Sequence, residues 1–501
     1  MTTHKSCVAL RQRAVALCFL CVGGCNSGDG AGGNPVKIGD PGHADAGPGD
    51  GDPGTPPPPW DTLTWTYETV EGTDQTKPSG VQGKMVRTSD GTLHYLFLKK
   101  VANMPTCDIA VFGGEAAPGV NYELHAGARA AGASTWTVDV LPLSQVGPPN
   151  YVTSRFGLDA TLDGTGRVVV AVAAGGPGLA ACGSTDLVLG TRNGPNSWTL
   201  TAPVTGSGAC CNDCVLAPTP DPCIASGTCE CCSVMQNACR TGTDVGAWAA
   251  IARSSSGTIG VAFTDYHNFW DVDGQAFRGS EIYEGAPPYS GGAITGIRPW
   301  SDLGLYAALA YVGTVPVVAF TGYKQNGLHV LTRASGTDWT DVSVATPFST
   351  LKLGERIQLA VAPNGTLGLL FHVGESANGA KLNQLYYCSS VDAGATWAQC
   401  RIVDSGVGGS PSLAFDGQSR PAASYYYCGP DPSCPQADDR PRFAWRDDQG
   451  TWWKFDLFHE ASVSAGIYTS VVVDPTTGLP SVAFQDISRG TAMVAQGHFA
   501  N

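Results

Sequence analysis

Two stretches decide the reading of this chain: WAAIARSSSGTIGVAFTD at residues 248–265 and YTSVVVDPTTGLPSVAFQD at residues 468–486. Each is an apolar run rich in strand-forming side chains, then a turn marked by Gly or Pro, then a second apolar run. The same phrase stands at 84–99, 156–173, 306–321, 357–373 and 411–427, making seven copies. Self-similarity at a period of roughly 50 to 85 residues is the sequence signature of β-propeller blades.

Third and fourth strands follow most copies, and the fourth often carries a Trp. Examples are 186–191 with 198–202, 329–333 with 339–344, and 443–447 with 452–457. Four short strands make one blade, whose apolar faces pack against the neighbouring sheets. The seventh copy supplies only three strands, ending at 493–496. The missing fourth is expected from 63–70, a Velcro-type closure that removes an exposed sheet edge. The expected fold is therefore all-β: a single seven-bladed β-propeller over 60–501, with six or eight blades as alternatives because copies one and three are diffuse.

Composition agrees and excludes some functions. Gly 65 and Pro 34 are high, as many short strands need many turns. Charged residues are 14% of 501, the net charge is −14, and there is no basic patch, which argues against nucleic acid as a partner.

The first 24 residues read as an address. Lys5, Arg11 and Arg13 precede an apolar run at 14–22 that is too short to span a bilayer. It ends in Val22-Gly23-Gly24-Cys25, which resembles the lipobox of bacterial lipoproteins with Cys25 in the acylated position. An ordinary signal peptide is the alternative. Asn26 stands where an Asp would mark inner-membrane retention, so the expected location is the outer membrane or cell surface, through the lipid anchor alone. Residues 25–59 are rich in Gly, Pro and Asp, close on four prolines, and have little to bury. They are expected to form a disordered tether.

Copy five continues into Ser390-Val391-Asp392-Ala393-Gly394-Ala395-Thr396-Trp397. This stretch resembles the S-x-D-x-G-x-T-W Asp-box of the sialidase-like (BNR) propellers, with weaker echoes at 193–198 and 335–339. Ser390 and Asp392 are suited to bond turn amides, Gly394 to take a positive φ, and Trp397 to pack between sheets. The resemblance implies the fold; Asp-boxes lie on the rim opposite the catalytic face and say little about activity.

Setting aside Cys7, Cys18, Cys21 and Cys25 leaves 14 of 18 cysteines, an even number that reads as disulfides in an oxidising compartment. Cys388 and Cys400 flank the copy-five hairpin, Cys428 and Cys434 would close a small loop, and Cys107 with Cys182 is the remaining pair. Eight more (Cys210, Cys211, Cys214, Cys223, Cys229, Cys231, Cys232, Cys239) crowd the insertion at 206–245. Four disulfides are expected there. Zinc or an iron–sulfur cluster is the alternative, and the absence of His and the irregular spacing weigh against it.

In a propeller, the loops after second and fourth strands share one face around the channel mouth. That places the cysteine insertion beside 265–274, expected to be a loop carrying Asp265, Tyr266, His267, Phe269 and Trp270. Lys324, His372, Glu375, Tyr426, Asp486 and Arg489 also end second strands on that face, as does Lys99. Such a mouth is the default ligand site. A His like His372 is more often a structural residue than a catalyst, and Asp271-x-Asp273-Gly274 is a common turn with calcium as its sharper reading. No cofactor is expected.

The expected function is a surface-anchored lipoprotein whose propeller face binds a glycan or protein. The alternative is a carbohydrate-active enzyme. The resemblance implies that a sialidase would use three arginines, a Tyr–Glu pair and an Asp acid. The early Arg-Ile-Pro motif of that family is absent, Arg298-Pro299 lies mid-chain, and nothing joins Arg155, Arg356 and Arg489 into a triad. A polysaccharide lyase would draw on His267, Tyr266 and His372, with Glu375 and Tyr426 as further weak catalytic candidates.

Overall fold

A computed structural model describes residues 59–500, except 73, 102–120, 147–150, 154–157, 176–184, 205–245, 273–274, 298–302, 323–327, 337, 345–350, 377–378, 432–438 and 461–462. The two 3-10 turns, Trp60–Thr62 and Leu143–Val146, are the only helical segments among them. Everything else regular is antiparallel β-sheet.

The strands form seven blades. Blade one is Val81–Arg87, Leu93–Lys100, Asn121–Arg129 and Thr137–Val140, and blade two is Leu158–Leu162, Val168–Gly175, Thr185–Gly194 and Ser197–Val204. Blade three is Ala247–Arg253, Ile259–Val272, Gln275–Gly285 and Gly292–Gly296. Blade four is Leu303–Val312, Val315–Gly322, Leu328–Ser335 and Asp338–Ser343. Blade five is Leu351–Val361, Leu367–Ser376, Lys381–Ser390 and Arg401–Ser405. Blade six is Val407–Phe415, Pro421–Tyr427, Arg440–Arg446 and Trp452–Asp456. Blade seven takes Ala465–Val473, Pro480–Asp486 and Thr491–Phe499 from one end of the sequence and Leu63–Glu71 from the other. The closing ladder runs from Leu63 opposite Phe499 to Glu68 opposite Val494, so the expected closure is present.

One departure from separate sheets occurs. A short strand, Tyr151–Thr153, pairs with Asn121 and Tyr122 of blade one and with Ala174 and Gly175 of blade two. It fuses those two blades into one nine-stranded sheet. The bridge lies in the connection between blades, where no repeat marks it in the sequence.

The core is distributed in the same way. Seven buried apolar clusters occupy the seven gaps between neighbouring blades. In the gap between blades seven and one, for example, Val70, Val494 and Ala483 meet Met85, Tyr95 and Phe97. Each strand therefore needs apolar residues on both faces, which explains the near-continuous apolar runs.

Turn chemistry holds the rim away from the mouth. Asp163 accepts from the amides of Thr165 and Arg167 and from Arg167 Nε, and Asp416 does the same with Gln418 and Arg420. In the Asp-box, Ser390 Oγ accepts from the Gly394 amide at 2.9 Å. Asp392 accepts from the Thr396 amide at 2.9 Å and from its hydroxyl at 2.6 Å, which holds its carboxyl at about 2. Gly394 has φ 86°, and a Cβ there would lie 3.1 Å from Thr332 of blade four. Beside this turn Cys388 and Cys400 are disulfide-bonded. Cys428 is also disulfide-bonded; Cys434, Cys107, Cys182, the clustered cysteines and Cys25 lie outside the described residues.

Candidate functional site: the axial channel and its mouth

The first strand of each blade lines the channel, and in five of the blades its start is built the same way. The ladder with the second strand slips between Val81 and Lys84, Ala247 and Ala250, Leu305 and Ala308, Gly409 and Ser412, and Ile467 and Ser470. Each slip is a β-bulge. Gln82, Trp248, Ser410 and Tyr468 sit in these bulges with φ of 51°, 55°, 51° and 56°. Left-handed Trp and Tyr cost of order 1–3 kcal/mol each and persist only where the surroundings impose them. A glycine stands two residues before each of these four, as it does before Tyr306 and Arg356. At Gly246 and Gly466 a Cβ would come within 3.1 Å of Leu187 and 2.4 Å of Pro441, on the third strand of the preceding blade. The chain thus passes tightly over one blade and kinks into the channel wall of the next.

In those five blades Lys84, Ala250, Ala308, Ser412 and Ser470 close the bulge, and with Asp159 and Gln358 of the other two first strands they form the channel ring. All seven line one cavity of about 120 Å³. Several bridge to the next blade. Ser412 Oγ accepts from the Val471 amide at 3.1 Å and Ser470 Oγ from the Met85 amide at 2.9 Å. Lys84 Nζ lies 2.9 Å from Asp159 Oδ1, whose Oδ2 accepts from the Ile251 amide at 3.0 Å. The polar members occupy blades five, six, seven, one and two. The opposite wall is apolar, with Trp248, Ala250, Ile251, Ala308 and Leu309.

The described residues among those singled out in the sequence are in different states. The stretch holding Asp265, Tyr266, His267, Phe269 and Trp270 is not the loop expected. It is strand, described by its backbone, and blade three's hairpin continues through Phe269 opposite Arg278, Trp270 opposite Phe277 and Val272 opposite Gln275. The ladder runs on after one irregularity between Asp265 and Phe269. Lys324 and Arg155 lie outside the described residues, and Arg356 is described by its backbone within Leu351–Val361.

His372 is 6% exposed, and burial pushes its imidazole down to about 4, against a weaker opposing contact with the Val407 backbone. Its ring lies under Gly409 of blade six, where an added Cβ would be 4.0 Å from Nδ1. Gln485 occupies the equivalent place in blade seven and donates to the Ser79 carbonyl at 2.9 Å. Glu375 is ion-paired with Lys381. Tyr426 packs on Gly408, and burial and a hydrogen bond with Asp439 raise its phenol. Asp486 is fully buried; burial raises its carboxyl, opposed by the Arg489 amide and guanidinium, each 3.0 Å away. Arg489 also reaches Glu460 at 2.6 Å.

Two further clusters on this face escaped sequence reading. Glu71, at the end of the closing strand, lies 3.0 Å from Lys99 Nζ and 2.7 Å from His125 Nδ1, with Glu123 3.2 Å from the other ring nitrogen. In blade six the Arg442 guanidinium, 1% exposed, bonds Asp404 at 2.8 Å and Asp456 at 2.6 Å. Tyr425 donates to Asp404 at 2.6 Å, and Lys454 lies 2.9 Å from the same carboxylate. Most of these partners come from different strands far apart in the sequence and leave no local pattern to read. The bulge ring did leave one, the glycine two places before the left-handed residue. Among the described residues, no group of three or more His, Cys, Asp or Glu is placed to hold a metal ion.

Comparison with known proteins gives fold-level likenesses. No family model matches the chain, and neither does any curated protein. Among solved structures, the chain is similar to the GH93 α-L-arabinofuranosidase of Fusarium graminearum at 11% identity, over 86% of this chain and 97% of that one, with a TM-score of 0.48. It is similar to an α-L-arabinanase of Penicillium chrysogenum at 12% identity, over 87% and 98%, with a TM-score of 0.46. A sialidase from Streptococcus pneumoniae shares 10% identity over 86% and 70%, with a TM-score of 0.42. Identities this low transfer no residue role.

Proposed function

We propose that this propeller acts on carbohydrate, taking a sugar at the mouth of its axial channel. The observation that carries the reading is the two-sided channel wall: Lys84, Asp159, Gln358, Ser412 and Ser470 on one side, and Trp248, Ala250 and Ala308 on the other. A sugar has the matching chemistry, with hydroxyls around its rim and a C–H face that packs on an aromatic ring. The strained Trp248 backbone supports this, because such strain clusters where a side chain must be held for a ligand. In this reading Cys25 tethers the propeller to an outer membrane or cell surface, where glycans are met. Glycan-array screening of the full chain, followed by titration of the hits, tests it. Binding that weakens at least tenfold in Trp248→Ala, with the fold intact, supports the reading; no glycan bound overturns it.

The second reading is a glycoside hydrolase at the same mouth. Asp486 favours it: a carboxyl raised by burial is what an acid catalyst on a glycosidic oxygen needs. Its engagement by Arg489 and its full burial mean that a substrate would have to displace that pair. Release of sugar from a bound glycan, lost in Asp486→Asn, would establish cleavage.

A further inference from the structure

The bridges around the channel are unevenly distributed. Side chains span four junctions: Ser412 to Val471, Ser470 to Met85, Lys84 to Asp159, and Asp159 to Ile251. At the next two junctions the same ring position is Ala250 and Ala308, whose methyl groups accept nothing. The amides that would be bridged there belong to Leu309 and Leu359. Leu309 stands opposite Val318 and Leu359 opposite Leu369, in the register that Met85 has opposite Tyr95 and Val471 opposite Val482. Since the Met85 and Val471 N–H groups point away from their second strands, toward the axis, those of Leu309 and Leu359 do too. Both leucines line the cavity, together with Trp248 and Gln358.

Backbone donors that face a cavity require an acceptor from water or a ligand. The cavity of about 120 Å³ on this wall leaves room for a ligand group in place of water. Two donors on separate blades call for oxygens spaced across a molecule, as on a polyol, and not for the two close oxygens of one carboxylate. Lys84 is already paired with Asp159, so no spare cation in this set favours an anion.

We infer that the channel beside blades three to five is a binding site for one uncharged polyol, such as the terminal ring of a glycan. Its oxygens accept from the Leu309 and Leu359 amides, in the places that serine and aspartate oxygens fill at the bridged junctions. Trp248 meets its C–H face. This site rests on the carbohydrate reading of the mouth and adds to it the depth to which the ligand enters.

The test grafts the missing bridge. Ala308→Ser places an internal oxygen against the Leu359 amide, and Ala250→Ser does so for Leu309. Wild-type chain is titrated calorimetrically with D-glucose, D-xylose and glycerol, with sodium acetate as the charged comparison. We expect at least one polyol to bind and Ala308→Ser to weaken it about tenfold, the order a lost neutral hydrogen bond is worth. Val391→Ser, on the exposed Asp-box turn away from the channel, adds a hydroxyl outside the site and should keep wild-type affinity. Unchanged binding in Ala308→Ser, equal loss in Val391→Ser, or a preference for acetate would overturn the inference. Glycan binding that survives Ala308→Ser but fails in Trp248→Ala would overturn the channel site and leave the mouth reading standing. No glycan or polyol bound by any form would overturn both.

Discussion

The indole of Trp60 lies 4.3 Å from that of Trp445, with the ring planes 17° apart, and this stack fastens the turn before the closing strand to blade six. Trp60 immediately precedes the closing strand, is buried, and also meets Phe443, Phe455 and Phe499. Trp60→Ala should therefore cost about 3–5 kcal/mol, the usual loss for a buried Trp truncation. Denaturant unfolding measures it. A cost under about 1 kcal/mol would mean that the closing strand holds without its anchor.

The channel bridges differ in what they leave behind when cut. Ser412→Ala and Ser470→Ala should each cost about 1 kcal/mol, the net value of one neutral hydrogen bond. Asp159→Ala strands both the Lys84 ammonium and the Ile251 amide, so it should cost clearly more, about 2–4 kcal/mol. Equal losses in all three variants would show that the bridges do not carry the junctions.

The pH dependence follows from two buried imidazoles. Burial lowers both His372 and His94 to about 4 from the ordinary 6.5, with Arg192 adding to the effect at His94. Between those values the unfolded chain binds the extra protons, so stability is full above about pH 6.5 and falls as pH drops toward 4. The combined effect is of order a few kcal/mol. Melting temperature against pH should slope through this window, and His372→Leu should remove about half of the slope. A flat profile would contradict the burial of these rings.

The sequence made the fold legible because each blade must repeat the same apolar two-strand phrase. Strand closure by 63–70 followed from counting strands. The Asp-box turn was legible because its bonds are local, from Ser390 to Gly394 and from Asp392 to Thr396. The site was less so. The 265–272 stretch looked like a loop for its polar residues, yet the ladder resumes at its Phe269 and Trp270. The Glu71–Lys99–His125 and Asp404–Arg442 clusters join residues that only the ring closure and blade packing bring together. The bulge ring has a local mark in its glycines, which stand just ahead of the repeated apolar runs and outside the phrase they share.

The anchoring reading makes a separate prediction. Cys25→Ser should move the protein from the membrane fraction to the soluble periplasmic or medium fraction. Unchanged fractionation would argue for a secreted protein without a lipid.

The channel mouth and the Asp-box rim should respond differently to substitution. Titration of the strongest array glycan should give wild-type affinity for Val391→Ser, a fully solvated change on the Asp-box rim, where Val391 is 84% exposed. The same titration should show at least a tenfold loss for Trp248→Ala on the channel wall. Equal affinity in both variants, or loss only at Val391, would contradict a carbohydrate site at the channel mouth.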